Sequence, residues 1–446
     1  MSQQKKYFDY QIYFIGYVIS CLLSQVHLYY LSGGILIATG IILYIVNVKK
    51  TKQIADLRGL FSLSWIAGEG IACLQLSKLQ TDWQIMTWVC FFLAYVCFLF
   101  AYDYLGNHKK QKNIPEESSF QKKVIQAKRI FNCIMVLTIF SVVCFIVEIV
   151  VVGFIPLFSP EPHAYSYFHV SGIHYFTISC ILIPALTVLY TKLIDKIKLA
   201  KLILIVTCNI VAIAIPILCV SRFQLLFAVG FAAVTYVMVY HHLTWKTVIM
   251  AIILIIPVYI LLSIARRHNV SYLNSIFEMK NKSIPIFVSQ PYIYVANNYE
   301  NFNCLVKDLT RHTWGIKALF PFFALTGLKF VFPQVVSSPI YITKKELTTL
   351  TMFYDSYYDF GIIGVIILAL ILGVVARKMT TWVKISDNPI SYLFYGEMAI
   401  YLGLSFFTTW FSNPTTWFWI IITGVMYIYI DKDKIINILK RNKKNV

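Results

Sequence analysis

Charged residues are scarce in this chain, and their scarcity argues against a soluble globular protein. Only 13% of the 446 residues are charged, whereas 59% are hydrophobic. Soluble domains have about 45–50% apolar and about 25% charged residues. With a mean hydropathy of +0.70, the chain has more apolar surface than one protein core can bury. Lipid is therefore expected to cover the rest.

The sequence also lacks several patterns that would indicate particular functions. Nine of the ten cysteines lie at irregular spacing in apolar segments, and Cys304 has no partner in its loop, so neither a disulfide framework nor a metal site is predicted. The sequence has no inverted repeat of the kind that many transporters contain, which argues against a transporter. It also has no Gly-rich phosphate loop, and no cofactor is expected. The net charge of +19 comes from short clusters between apolar runs, which indicates membrane topology and no nucleic-acid partner.

Long apolar runs are abundant, and they predict an all-α polytopic integral membrane protein. A bilayer core of about 30 Å requires roughly 20 apolar residues per helix, and no run alternates like a barrel strand. We predict about twelve transmembrane helices, within a range of ten to twelve. Their approximate bounds are 10–30, 32–48, 60–77, 83–105, 130–153, 173–190, 202–220, 223–240, 247–264, 353–376, 390–410 and 415–430.

The distribution of lysine and arginine predicts the orientation of these helices. If the N-terminus is cytoplasmic, most of the 39 basic residues lie in inside segments, and the short outside loops contain only Lys78 and Arg222. The other basic residues outside lie in one long loop, which the positive-inside rule exempts. Both termini are therefore predicted to be cytoplasmic. The bias towards Lys, Ile, Tyr and Asn is typical of a bacterium with an AT-rich genome, and the expected location is the bacterial plasma (inner) membrane.

Three regions follow from this topology. Residues 1–264 are predicted to form a nine-span membrane region, residues 265–352 one large extracytoplasmic loop, and residues 353–446 a three-span region with a basic cytoplasmic tail. The loop is too aromatic to be disordered. Its apolar runs at 284–288 and 320–325 are too short to span, so they are expected to form interfacial helices or the lid of a cavity.

Three arginines at the predicted outer boundary are candidates for binding an anion. Arg222 lies in a turn between two apolar runs, where a charge costs free energy and the positive end of a helix dipole disfavours a cation. Arg266 and Arg267 open the long loop, and two adjacent guanidiniums suit a diphosphate because each offers forked donors. The alternatives are that Arg222 reaches the outer headgroups and that the pair is a basic flank of a span.

Two further groups of polar residues lie later in the chain. Arg311 precedes His312, whose imidazole is suited to act as a general base near neutral pH, although a loop histidine is more often simply solvated. Asp355 and Asp359 are four residues apart and hence on one helical face, with Tyr358 close to it. Carboxylates at the mouth of a span pair with cations or line a wet cavity. The alternative is an acidic cap that favours the helix dipole.

The order of these features resembles the Wzy-type oligosaccharide repeat unit polymerases of O-antigen and capsule synthesis. The features are the Ser-Arg turn at 221–222, the arginine pair at 266–267, the Pro-Tyr-Ile-Tyr segment at 291–294, and the Tyr-Tyr-Asp-Phe-Gly string at 357–361. The span count and the long outer loop agree with the same family. The resemblance is sharpest around 215–270 and 345–375.

The resemblance implies a metal-independent glycosyltransferase that works on the outer face of the membrane. It would move a growing glycan from undecaprenyl diphosphate onto the sugar of a second lipid-linked repeat unit. Arg222, Arg266 and Arg267 would meet the charge of the diphosphate leaving group. His312 or Asp359 would accept the proton of the attacking hydroxyl.

The same resemblance suggests how the substrate is held and which partners are expected. The implied substrate-binding residues are Tyr292, Tyr294, Arg311, Trp314, Asp355 and Tyr358, and the aromatic ones among them would stack on sugar rings. Expected partners are the lipid-linked donor and acceptor, membrane lipids, a chain-length regulator and a repeat-unit flippase. Two alternatives stay open: a polysaccharide ligase of the same superfamily, which shares nearly every feature, and a repeat-unit flippase or other transporter, which would not need so long an outer loop.

Overall fold

The computed structural model describes residues 3–105, 120–160, 164–241, 270–336 and 338–432. The structure is all-helical, with 77% helix and no strands among the described residues. The predicted all-α class is therefore confirmed. The helices are α1 (Gln3–Gln25), α2 (Tyr29–Thr51), α3 (Leu57–Ser62), α4 (Gly68–Cys73), α5 (Ile85–Phe100), α6 (Phe120–Val152), α7 (Ile173–Ile178), α8 (Ile183–Leu193), α9 (Leu199–Leu218), α10 (Arg222–Tyr240), α11 (Val270–Phe277), α12 (Ile286–Asp308), α13 (Ile316–Leu325), α14 (Tyr354–Ile385), α15 (Ile390–Gly403) and α16 (Pro414–Ile430).

Seven helical segments in the described part of the chain are long and apolar enough to cross a membrane. The protein is thus a multi-pass membrane protein. The seven are Tyr29–Thr51, Ile85–Leu105, Phe120–Val152, Ile173–Leu193, Leu199–Leu218, Arg222–Tyr240 and Tyr354–Ile385.

The other predicted spans stay predictions. The predicted span 60–77 coincides with three short pieces, because a π-helix at Leu63–Ala67 joins α3 to α4. The last two helices have only 14 and 17 residues, whereas a span requires about 20. The predicted span 247–264 lies outside the described residues.

The chain folds into two compact units, and the three regions predicted from the topology stay predictions. The first unit comprises Met1–Lys109, Asn269–Thr380 and Tyr401–Trp417, and the second comprises Lys110–His268, Thr381–Ile400 and Phe418–Val446. The described part of the predicted outer loop, from residue 270 onward, therefore belongs to the same unit as α1 to α5.

Aromatic rings form the core of the first unit. Trp65 lies 4.9 Å from Phe353 and 5.4 Å from Tyr299, measured between ring centroids, and Phe91 lies 4.9 Å from Phe302. Aromatic pairs at such distances are stabilising beyond the area that they bury. The core thus joins the first helices of the chain to α12 and to the start of α14.

Small residues let α2 pack closely against α4 in the same unit. A Cβ atom added to Gly33 would lie only 2.5 Å from the carbonyl oxygen of Gly70, and one added to Gly70 would lie 2.7 Å from that of Gly33. Helices in membranes associate through such small residues because they let the backbones approach. We infer that a larger residue at either position would force the two helices apart.

A buried carboxylate in the second unit pairs with a histidine. Glu148 on α6 is fully buried, and its Oε1 lies 2.9 Å from Nδ1 of His174 on α7. The backbone amide of Val170 donates a hydrogen bond to the same oxygen at 3.0 Å. This intramembrane acid therefore has a polar partner on a neighbouring helix, as buried acids require.

Candidate functional site

The middle of α12 is polar, although it is buried in the first unit. Asn301 Nδ2 donates to the carbonyl oxygens of Leu347 and Thr349 at 2.8 and 2.9 Å, and its Oδ1 accepts from the amide of Thr343 at 2.9 Å. Asn298 Oδ1 accepts from the hydroxyl of Thr349. Buried amides that are satisfied in this way fix a loop in one position. They hold the segment 343–349 against α12, just before α14 begins.

Glu300 on the same helix is nearly completely buried and is held by three donors. Its Oε1 accepts from the hydroxyl of Thr81 at 2.6 Å and from Nδ2 of Asn303 at 3.2 Å, and its Oε2 accepts from Nε1 of Trp83 at 3.2 Å. Burial raises the pKa of this carboxyl above its ordinary value, and the hydrogen bonds offset only part of that effect.

Six of the residues selected from the sequence come together at the start of α14. They are Arg311, His312, Trp314, Asp355, Tyr358 and Asp359. The segment before α13 lies along α14: the amide of Thr313 donates to the carbonyl oxygen of Tyr358 at 3.3 Å, and the amide of Trp314 donates to that of Asp359 at 3.2 Å. We call residues 311–318 together with 354–361 the docking site.

Asp359 fixes this arrangement by capping α13 from outside that helix. Its Oδ1 accepts from the hydroxyl of Thr313 at 2.6 Å and from the amide of Lys317 at 3.1 Å, and its Oδ2 accepts from the amide of Ala318 at 2.8 Å. The first amides of a helix have no partner within the helix, and a carboxylate there also interacts favourably with the helix dipole. Three donors thus occupy the carboxylate that the sequence suggested as a base.

His312 is oriented by the backbone of α14. Its Nδ1 lies 3.2 Å from the carbonyl oxygen of Tyr358. A carbonyl oxygen only accepts hydrogen bonds, so we assign the proton to Nδ1, which leaves the lone pair of the neutral ring on Nε2. The residue is exposed, and the tautomer is the one in which Nε2 can accept a proton from a bound substrate.

Gly361 makes room for this ring. The backbone of Gly361 has φ +60° and ψ −144°, a conformation that residues with a side chain avoid. A Cβ atom at this position would lie 3.3 Å from Cε1 and 3.5 Å from Nε2 of His312. The break in α14 at Phe360 and Gly361 therefore both turns the chain and lets its backbone pass close to the imidazole.

Trp314 is the most exposed aromatic side chain among the predicted sugar-binding residues. It is 76% exposed and has a left-handed φ of +53°. Its ring lies 6.1 Å from that of His312 and 6.2 Å from that of Phe360, both in edge-to-face geometry. An exposed indole beside an imidazole provides a flat apolar surface next to a base.

Lys317 contributes a cation that sequence reasoning missed. Its ammonium lies 4.9 Å from the centre of the Tyr358 ring, and it also acts electrostatically on Asp355. The side chain of Asp355 is buried. The only signal for Lys317 in the sequence is its place two residues after the Trp-Gly turn, at the start of an apolar run.

The remaining predicted residues lie elsewhere. Tyr292 is buried, and its hydroxyl is bound to Gln80 and to the amide of Leu76, while Tyr294 is half-buried on the same helix. The Tyr358 ring is also covered by protein, at 2% exposure. These placements favour Trp314 over the tyrosines as a surface for a sugar.

Arg222 begins α10 in the second unit. The side chain is only 3% exposed, and the preceding tight turn places Val220 at φ +54°. Protein covers the guanidinium, which does not fit a side chain that simply extends towards lipid headgroups. Arg266 and Arg267 lie outside the described residues.

No three His, Cys, Asp or Glu side chains within the described ranges are grouped in a way that could hold a metal ion. Comparisons with known proteins gave no relative. No protein-family model matches the chain. No curated protein and no solved structure matches it either.

Proposed function

We propose that this protein is a membrane glycosyltransferase that polymerises undecaprenyl-diphosphate-linked oligosaccharide repeat units on the outer face of a bacterial plasma membrane. The observation that carries the proposal is the geometry of His312. Its Nδ1 is held by the carbonyl oxygen of Tyr358, and its ring is exposed beside Trp314. The resemblance to Wzy-type polymerases, which rests on motifs in the sequence, supports the same activity.

The chemistry proceeds by displacement at the anomeric carbon of the donor glycan. The acceptor hydroxyl forms the new bond to this carbon while its proton passes to Nε2 of His312. The bond between the anomeric carbon and the diphosphate oxygen breaks, and both of its electrons leave with the polyprenyl diphosphate. Lys317 and Arg311 provide positive charge near this base for the leaving group. No metal ion is required in this scheme.

Trp314 is assigned to the sugar, because its exposed ring offers an apolar face. Asp359 holds α13 so that Lys317 and His312 keep their positions. The role of Arg222, Arg266 and Arg267 in binding diphosphate through forked hydrogen bonds stays a prediction from the sequence.

The first experiment deletes the gene and analyses the surface glycan on gels. A polymerase predicts that the ladder collapses to single repeats. Normal chains that stay lipid-linked would indicate a polysaccharide ligase instead, and cytoplasmic accumulation of repeats would indicate a flippase.

The second experiment tests His312 by complementing the deletion with variants. His312→Asn should lower polymerisation by about 10²- to 10⁴-fold, the range expected for loss of a general base. His27→Asn is the matched control, because His27 is also an exposed histidine of the first unit. A normal ladder from a well-expressed His312→Asn strain would contradict the proposed role.

A further inference from the structure

The second unit has an apolar groove on its surface. The groove has a volume of about 590 Å³ and lies between α6, α7 and α16. Among the apolar residues that line it are Val136, Phe140, Phe176, Ile421 and Val425. Four of these five side chains are more than half exposed, so the groove opens away from the protein.

The two ends of the groove differ in chemistry. At one end Asn132 Nδ2 donates to the hydroxyl of Tyr429 at 3.2 Å. At the other end Phe176 packs against Phe418 in edge-to-face geometry, with ring centroids 4.8 Å apart. The stretch of α16 from Phe418 to Tyr429 rises about 16 Å, which is close to half of a hydrocarbon core of about 30 Å. The groove therefore has the length of one leaflet, with a polar end and an apolar end.

Cations lie at the polar end. The guanidinium of Arg129 lies 6.0 Å and the ammonium of Lys432 lies 5.4 Å from the centre of the Tyr429 ring. Arg129 Nη1 also donates to the carbonyl oxygen of Ile430 at 2.7 Å, which fixes the guanidinium at the end of α16. Lys128, which directly precedes Arg129 on α6, is exposed. These three cations outnumber the acidic Asp431, so the polar end of the groove has a net positive charge.

We propose that this groove binds one acyl chain of an anionic phospholipid, with the lipid phosphate at Arg129 and Lys432. The apolar wall accommodates the chain, and the positive end selects a headgroup with net negative charge, because juxtamembrane Lys and Arg attract anionic lipids. The hydroxyl of Tyr429 and the amide of Asn132 lie where the ester groups of the lipid would be. The predicted topology places this end at the cytoplasmic leaflet. The site is independent of the proposed glycosyltransferase activity.

The test measures lipid binding by native mass spectrometry of the purified full-length protein. The probes are phosphatidylglycerol and phosphatidylcholine with identical acyl chains. The wild type should bind one phosphatidylglycerol with at least tenfold preference over phosphatidylcholine. Val136→Trp fills the groove and should weaken phosphatidylglycerol binding by at least tenfold. Ile139→Trp is the matched control, because Ile139 is also exposed on α6 but does not line the groove.

The headgroup is tested with a charge variant. Lys432→Gln should reduce the preference for phosphatidylglycerol about fivefold, as expected for one basic residue near an anionic surface, whereas Lys196→Gln, an exposed cation elsewhere in the unit, should not. Diacylglycerol has the acyl chains but no phosphate, so it should bind more weakly than phosphatidylglycerol. Its binding should be the same in the wild type and in Lys432→Gln.

Three results would overturn the proposal. Equal binding of the two phospholipids by the wild type would show that no headgroup site exists. Unchanged binding by Val136→Trp would show that the chain does not occupy the groove. Displacement of phosphatidylglycerol by millimolar inorganic phosphate would indicate a site for free phosphate.

Discussion

Replacing Asp359 by asparagine tests whether one carboxylate holds the docking site together. Asparagine has nearly the same shape, but it has one acceptor oxygen and no charge. The carboxylate accepts from the Thr313 hydroxyl and from the amides of Lys317 and Ala318. In Asp359→Asn the NH₂ group must face at least one of these donors, so at least one hydrogen bond is lost.

The expected magnitude follows from these contacts. Hydrogen bonds to charged groups contribute about 1.5–3 kcal/mol, and loss of a helix cap costs about 0.5–2 kcal/mol. We expect the substitution to destabilise the first turn of α13 by about 2 kcal/mol. Since about 1.4 kcal/mol is a tenfold change in an equilibrium constant, the amides of this turn should exchange with deuterium about 30 times faster.

Hydrogen–deuterium exchange of the peptides that cover 311–325 measures this effect in purified protein. Asp308→Asn is the matched control, because Asp308 is exposed at the end of α12, and its variant should exchange like the wild type. An Asp359→Asn protein whose 311–325 peptides exchange within threefold of the wild-type rate would refute the capping argument. The positions of His312 and Lys317 would then need another explanation.

Three further predictions concern other parts of the molecule. Because the pKa of Glu300 is raised by burial, its ionisation opposes folding: stability is greatest below the unfolded-state pKa of about 4.3 and is lost as the pH rises through the folded-state pKa. Glu300→Gln should therefore flatten the decline of Tm with rising pH, and a variant with the wild-type slope would show that this carboxyl is not responsible. Arg222→Lys keeps the charge but loses the forked donors, so the glycan chains should be shorter although the protein level is normal. If the variant strain gives the same glycan ladder on gels as the wild type, Arg222 does not take part in diphosphate binding. Reporter fusions at Asn303 should report the outside and fusions at Lys384 the cytoplasm, and a cytoplasmic signal at Asn303 would reverse the predicted topology.

The class of protein follows from the sequence alone. Hydropathy sums over neighbouring residues, so long apolar runs indicate helices in lipid without any knowledge of their contacts. The same local reasoning selected Asp355 and Asp359, because a spacing of four places both on one helical face. It also selected His312 and Trp314 as chemically suited residues. The structure then placed all four at the docking site.

Only the tertiary structure decided what these residues do there. Asp359 caps α13 through donors 41 to 46 residues away in the sequence, and no local pattern indicates such a partner. The assigned tautomer of His312 depends on the carbonyl oxygen of Tyr358, which lies 46 residues further along the chain. Whether a ring is covered is likewise a property of packing: Tyr358 is buried and Trp314 is exposed, although both are aromatic residues in polar surroundings of the sequence. Spacing along the chain identifies the chemical groups, but their hydrogen-bond partners and their exposure depend on residues far away in the sequence.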